Sequence, residues 1–338
     1  MDNTNILFTS VGRRNYMIPF FRECFTGNIY ASNSIKQTSG MFEADEAFVS
    51  PPIKSEAYIP FLLDLCKKKH IKLIVPLFDM DLSVLAKDIE LFNQIGTKVI
   101  VSETETIEKC FDKLAYSSFT DLPSFKTPKT YTSIATAIES IQNGELQFPL
   151  IIKPRWGTGS IATHIVDNLE NLKSSFQFLE AQLGESYLQD PVPSKQKNQM
   201  LIQEMVKGQE FGIDIVNDFK GNFYTAVVKK KLAMRAGETD MAEVLEHADL
   251  QNVAAEIANH FKHIGILDAD FIIDENNTVY LIDLNPRFGG GYPFSHAAGL
   301  NVPLLYKQWL SEEFVSANQF KIEYGAVIAK GISLHKQK

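Results

Sequence analysis

Residues 267–274, Leu-Asp-Ala-Asp-Phe-Ile-Ile-Asp, and residues 279–284, Val-Tyr-Leu-Ile-Asp-Leu, are two short apolar runs joined by the acidic turn Glu275-Asn276-Asn277. Strand, turn and strand at this spacing predict a β-hairpin that sets Asp270 and Asp283 side by side at one end of a sheet. Pro286 stops the second strand, and Gly289, Gly290 and Gly291 follow. Asp283, Asn285 and Arg287 share one parity, so in extended chain they point to one face. A carboxylate, a carboxamide oxygen and a guanidinium together suit an oxygen-coordinated divalent cation with an anionic ligand beside it. Two carboxylates this close repel unless a cation separates them. Asp270, Asp283 and Asn285 are therefore the expected ligands of Mg2+ (or Mn2+) arriving with nucleotide phosphates. For any one of them alone, a solvated acid at a strand end is the ordinary alternative.

Residues 282–291, Ile-Asp-Leu-Asn-Pro-Arg-Phe-Gly-Gly-Gly, resemble the metal-binding end of the ATP-grasp enzymes. The likeness is strongest to those similar to the carbamoyl-phosphate synthetase large chain, where Glu-x-Asn-Pro-Arg occupies this place. Asp283 stands where many relatives have Glu, which keeps the charge and shortens the reach. The resemblance covers residues 104–310 by motif and residues 1–103 by architecture. It implies an α/β protein with a Rossmann-like pre-ATP-grasp domain (1–103), an ATP-grasp domain (104–310) of two α+β subdomains with the nucleotide between them, and a C-terminal strand and tail (311–338). The flexible subdomain of the ATP-grasp domain is expected at about 125–200.

In residues 1–103, strand signals at 5–10, 28–32, 71–77 and 97–102 alternate with helix signals at 15–24, 57–69 and 82–92, which predicts an open parallel sheet with helices on both faces. Ligands of such sheets sit at the carboxyl ends of the strands. Three loops lie there: 10–14, 32–34 and 78–81. Gly12-Arg13-Arg14 lacks the glycine spacing of a dinucleotide fingerprint. Its arginines are either solvated or anchors for a substrate anion. The resemblance implies that this domain helps to form the acceptor site.

Residues 104–119 read as a helix with Lys113 in it, and residues 148–162 as a strand ending at Lys153, then Pro154, a loop of Gly157, Thr158, Gly159 and Ser160, and another strand. Glycines let backbone N–H groups approach an anion, and the two hydroxyls add donors. The lysine precedes the glycines, so this is not a P-loop. Resemblance makes Lys113 and Lys153 phosphate ligands and Gly157, Thr158, Gly159 and Ser160 a loop covering the phosphates. Residues 168–184 read as a helix, and 189–198 as a polar excursion. Residues 200–216 read strand, turn, strand. By resemblance Glu204, Met205 and Val206 form the adenine hinge and Glu210 takes the ribose hydroxyls, a diol that a carboxylate accepts well. Lys229-Lys230-Lys231 closes a strand at 224–232. Lys231 and Arg235, with Arg287, are the cations that family position sets on the transferring phosphoryl group or the substrate. Residues 242–250 are expected to start a helix or form a lid, and 249–264 to form an amphipathic helix. His296 is either a base in the acceptor pocket or a packing residue.

The implied activity is an ATP- and Mg2+-dependent carboxylate–amine (or carboxylate–thiol) ligase working through an acyl phosphate. The alternatives are a kinase-type enzyme that releases an acyl or carbamoyl phosphate, and a non-catalytic ATP-binding regulatory protein. A formal charge of -8 argues against a nucleic-acid partner. Cys24, Cys66 and Cys110 are few and scattered, as in a protein with reduced thiols. No basic leader and no membrane-length apolar run is visible, so the expectation is a cytoplasmic protein of small-molecule acids and amines, with a possible homodimer.

Overall fold

A computed structural model of the chain describes residues 3–119, 122–157, 162–184, 199–235, 237–316 and 319–335. The N-terminal strands are nearly continuous apolar runs, which suits a sheet covered on both faces. They form a five-stranded parallel sheet in the order Glu46–Val49, Ile29–Asn33, Asn5–Thr9, Ile71–Pro76, Lys98–Val99. Alternation divides the burial: Ile6 and Phe8 face one hydrophobic cluster, Leu7 and Ile74 another. The first cluster does not end with this sheet. It continues through Val216, Val227, Ile266, Phe288, Tyr292 and Tyr306 of the C-terminal half. The carboxyl ends of the parallel strands are thereby packed toward the segment after Asn285.

The predicted hairpin is present. Strands Gly265–Ile273 and Val279–Asn285 pair antiparallel with Asp270 opposite Asp283 and Asp268 opposite Asn285. They open a six-stranded sheet that continues with Gln209–Asn217, Phe223–Arg235, Glu238–Leu245 and Val327–Ala329. Helix Ala248–Phe261 lays its apolar stripe, including Val253 and Ile257, on one face of that sheet. A four-stranded sheet, in the order Thr130–Tyr131, Met200–Glu204, Leu150–Pro154, His164–Val166, packs on helices Ile134–Gln142 and Leu169–Gly184 around its own small core. Among the described residues, no helix is long and apolar enough to cross a membrane.

Three local expectations are corrected. Residues 104–119 are not one helix: Thr104–Phe111 ends where Asp112 turns extended, and a short 3-10 helix follows at Ala115–Ser118. The Asp112 carboxylate takes Nε and Nη2 of Arg155 at 2.6 and 2.5 Å, and also accepts from the backbone N–H of Leu114, a side-chain turn that competes with helix continuation. Residues 242–245 belong to the strand Glu238–Leu245, not to a helix or lid, because alternating burial serves both faces of the sheet. The helix expected at 82–92 is two, Asp79–Lys87 and Ile89–Gln94, and the unassigned stretch 39–49 holds a short helix, Ser39–Glu43, and the edge strand Glu46–Val49.

Candidate active site

Two cavities meet at the hairpin. The larger, about 410 Å³, lies between the four-stranded and six-stranded sheets. The smaller, about 140 Å³, lies between the six-stranded sheet and the N-terminal domain. Lys231, Gly237, Asp270 and Asp283 line both. Period-two alternation explains the meeting point, since Asp268 and Asp270 on one strand and Asp283 and Asn285 on the next make one four-residue polar face.

The two facing carboxylates are neutralised by lysines. Lys231 Nζ lies 2.7 Å from Asp270 Oδ1, and Lys113 Nζ lies 2.7 Å from Asp283 Oδ1. Burial works against the Lys231 charge, but Asp270 more than offsets it, and the pKa ends raised. Asn285 donates its Nδ2 to Asp283 Oδ2 at 3.5 Å. This donor set fits Mg2+: all the donors are oxygens, the carboxylates are already arranged around positive charge, and Asn285 adds a carboxamide oxygen on the same face. Among the described residues no three His, Cys, Asp or Glu side chains are arranged so as to hold a metal ion by themselves. The remaining positions on such an ion fall to phosphate oxygens and water, the usual habit of Mg2+.

The larger cavity collects Lys113, Lys153, Gly157, Glu204, Val206 and Glu210 from the expected nucleotide ligands. Met205 is not among its lining residues. Thr158, Gly159 and Ser160 lie outside the described residues. Lys153 is 8% exposed, and burial, reinforced by Lys113 nearby, pushes its pKa down to about 8. Lys113 also donates to the Gly157 carbonyl at 2.9 Å, and its backbone N–H donates to the Arg155 carbonyl. The Asp112–Arg155 pair thus holds the two lysine-bearing segments together, with the Arg155 guanidinium 4.3 Å from the ring centroid of Trp156. Glu210 Oε2 is 3.8 Å from Lys231. Ile151, Ile165, Met234, Ile272 and Ile282 supply apolar walls that sequence reasoning missed. Ile165 and Met234 are 57% and 44% exposed, so apolar surface is open toward this cavity.

The smaller cavity is polar. Arg14, Lys229, Asp268, Asn285 and Arg287 line it, with Gly290 and Gly291. Asp268 was missed as a site residue, although it has the parity of Asp270 two positions on. Burial, with Asp270 and Asp214 nearby, raises its carboxyl to about 7. A Cβ on Gly289 would stand 2.1 Å from Asp268 Cγ, so the glycine turn is what lets the carboxylate fit beneath it. Lys229 is buried on Asp214, which also accepts from Ser295 Oγ at 2.5 Å. Arg287, 7% exposed, forms an ion pair with Asp79 of the N-terminal domain, its Nη2 donating to Oδ2 at 2.9 Å and its Nε 2.7 Å from Oδ1. Its Nη2 also donates to Asn285 Oδ1 at 3.0 Å.

Other expected residues are not gathered here. Arg235 pairs with Asp240 at 2.7 Å on the neighbouring strand, is 63% exposed and lines neither cavity. Arg13 is exposed. His296 stacks on Phe20 at 3.9 Å and contacts Tyr292 and Glu23, a packing role.

Comparison with known proteins agrees with this architecture. Residues 6–100 match the model of the PylC-like N-terminal domain, and residues 196–330 the model described as ATP-grasp in the biosynthetic pathway with Ter operon. These two matches support an ATP-grasp architecture for the chain, residues 196–330 matching the ATP-grasp model itself. The chain is similar to the carbamoyl phosphate synthase large chain of Helicobacter pylori, 27% identical over 233 residues, which are 65% of this chain and 20% of that protein. The chain thus spans about one fifth of the length of the curated relative. Among solved structures, biotin carboxylase from Campylobacter jejuni, a complex with an ATP analogue, superposes with a TM-score of 0.72 at 16% identity, over 94% of this chain and 73% of that one. The biotin carboxylase domain dimer of Hydrogenobacter thermophilus 2-oxoglutarate carboxylase, with MgADP and bicarbonate, gives 0.71 at 15%, over 96% and 73%.

Proposed function

We propose that the chain is an ATP- and Mg2+-dependent ligase that activates a carboxylate as an acyl phosphate and passes the acyl group to an amine. The observation that carries this reading is the junction of the two cavities at Asp270, Asp283 and Lys231. A nucleotide in the larger cavity, with its base against Ile151, Ile165 and Met234 and its ribose on Glu210, directs its phosphates toward that junction past Lys113 and Lys153. Bound Mg2+, held by Asp270, Asp283 and Asn285, supplies neutralisation of phosphate charge. Lys231 supports the same charge from the strand side. A carboxylate oxygen arriving from the smaller cavity attacks the γ-phosphorus, and the bond to the β-bridging oxygen breaks to leave ADP. An amine nitrogen then attacks the acyl carbon, loses a proton and expels phosphate, so the products are an amide, ADP and phosphate. Arg287 steadies this end of the site through Asn285. Arg235, paired with Asp240 and outside both cavities, has no part in this reading. The homodimer named for one structural neighbour supports testing this chain for dimerisation.

The test is release of ADP and phosphate from Mg-ATP across a panel of amino acids and small carboxylates, with Asp283→Ala as control. Release that requires both an acid and an amine, and disappears in the control, is expected. Nucleotide binding without turnover on any acid and amine pair would count against a ligase.

A further inference from the structure

We propose that Arg14, from the N-terminal domain, is the residue that anchors the carboxylate of the acid substrate in the smaller cavity, and that Asp79 holds Arg287 out of that role. This assignment rests on the ligase reading above and adds to it the residue that selects an anionic acceptor. Two guanidiniums border the cavity, and they differ in what they have left to offer. Arg287 donates from Nη2 to Asp79 Oδ2 and to Asn285 Oδ1, and its Nε stands 2.7 Å from Asp79 Oδ1 as an ion-pair contact. Its Nη1 donates to the Phe288 carbonyl at 3.2 Å and stands 3.8 Å from Asp268. Three of the five N–H donors of a guanidinium are thus taken, and Nε stands against the Asp79 carboxylate. Its charge, moreover, is already matched by a buried acid.

Arg14 differs. Its Nη1 donates to the same Phe288 carbonyl at 2.5 Å, a neutral acceptor. Carboxylates Asp79 and Asp268 act on it only through longer-range attraction, while Arg287 repels it. A partly buried cation on a cavity wall, with a carbonyl for its close hydrogen-bond acceptor among the described residues and a like charge nearby, is favourably completed by an anion from the cavity side. The fold explains the placement. Arg14 follows the first parallel strand and Asp79 opens the helix after the fourth in sequence, so both stand at the carboxyl end of the sheet, where α/β proteins gather ligands. Asp79 is then a positioning residue: it fixes Arg287, which in turn holds the Asn285 carboxamide through its Oδ1.

The experiment titrates the full chain, saturated with Mg-ADP, with succinate and with neutral succinamide, following the thermal midpoint. Wild type is expected to be stabilised saturably by succinate and not by succinamide. Arg14→Gln should raise the half-saturating succinate concentration at least tenfold, with Arg14→Lys intermediate and Mg-ADP affinity within twofold of wild type. The double variant Asp79→Asn/Arg287→Gln, which leaves neither charge buried alone, should shift succinate less than Arg14→Gln does while weakening the Mg2+ requirement for ADP. Unchanged succinate affinity in Arg14→Gln overturns the assignment, as does a larger loss in the double variant. Wild type that binds Mg-ADP and ignores succinate also overturns it and leaves the nucleotide reading standing. Absence of Mg-ADP binding removes both together.

Discussion

At the scale of single residues, Lys153 is the most informative cation of the nucleotide cavity. Burial pushes its pKa down to about 8 from the ordinary lysine value of 10.5, so folding disfavours its charged form. That cost is complete below about pH 8 and fades as the pH rises toward 10.5, because over that window the unfolded chain holds the extra proton. Lys153→Met is therefore expected to stabilise the nucleotide-free protein at pH 7, on the order of 2 kcal/mol, in denaturant titration. Nucleotide phosphates beside the ammonium restore its charge. Mg-ADP binding at pH 8.5 should then take up a proton, seen as a difference in calorimetric heat between buffers of unlike ionisation enthalpy. Equal heats in both buffers would dismiss Lys153 as a phosphate ligand. The lysine was readable in the sequence from its place before Pro154 and the glycines, but its depressed pKa was not, since burial and the nearness of Lys113 are made by tertiary packing.

At the scale of elements, the hairpin itself was legible in sequence, but its register was not. Asp270 stands opposite Asp283 because the pairing shifts by one residue between Asp270 and Phe271; continued from Phe271 opposite Leu281, the register would set Ile282 there instead. The approach of the preceding strands is set by small residues. A Cβ on Gly208 would come 2.1 Å from the Ile273 carbonyl oxygen, a backbone atom that cannot swing aside. Gly208→Ala is expected to weaken nucleotide binding and to lower the thermal midpoint, because the turn between Met200–Glu204 and Gln209–Asn217 must lift away from the hairpin. The Asp112–Arg155 pair acts at the same scale, both side chains being 17% exposed. Arg155→Ala should cost about 1–3 kcal/mol in stability and loosen Mg-ADP binding, since Lys113 and Lys153 lose their common tether. Retention of full nucleotide affinity would show that the pair is only structural. The helix expected across residues 104–119 failed here for the same reason, an aspartate whose partner is distant in sequence.

For the whole molecule, one hydrophobic cluster runs from the parallel sheet into the six-stranded sheet, and the Asp79–Arg287 pair stands beside the cavity where the two halves meet. Removing one member leaves the other charge buried. Arg287→Ala is expected to destabilise the protein by about 3–5 kcal/mol, and Asp79→Asn in the same chain should recover part of that loss, as measured by denaturant midpoint. A loss that the second substitution does not relieve would mean that Arg287 matters for packing alone. The chain's own order of residues determined the alternating N-terminal domain, the hairpin with its acids, and the lysine-then-glycine segment, because those are periodic or local patterns that neighbouring residues impose. Only the tertiary structure decided that Arg287 is taken by Asp79, that Asp268 joins the polar face, that Arg14 and not Arg13 borders the cavity, and that Arg235 pairs with Asp240 outside both cavities. Each of those outcomes is a competition among charges brought together from distant parts of the chain, and its winner depends on distances that no local pattern contains.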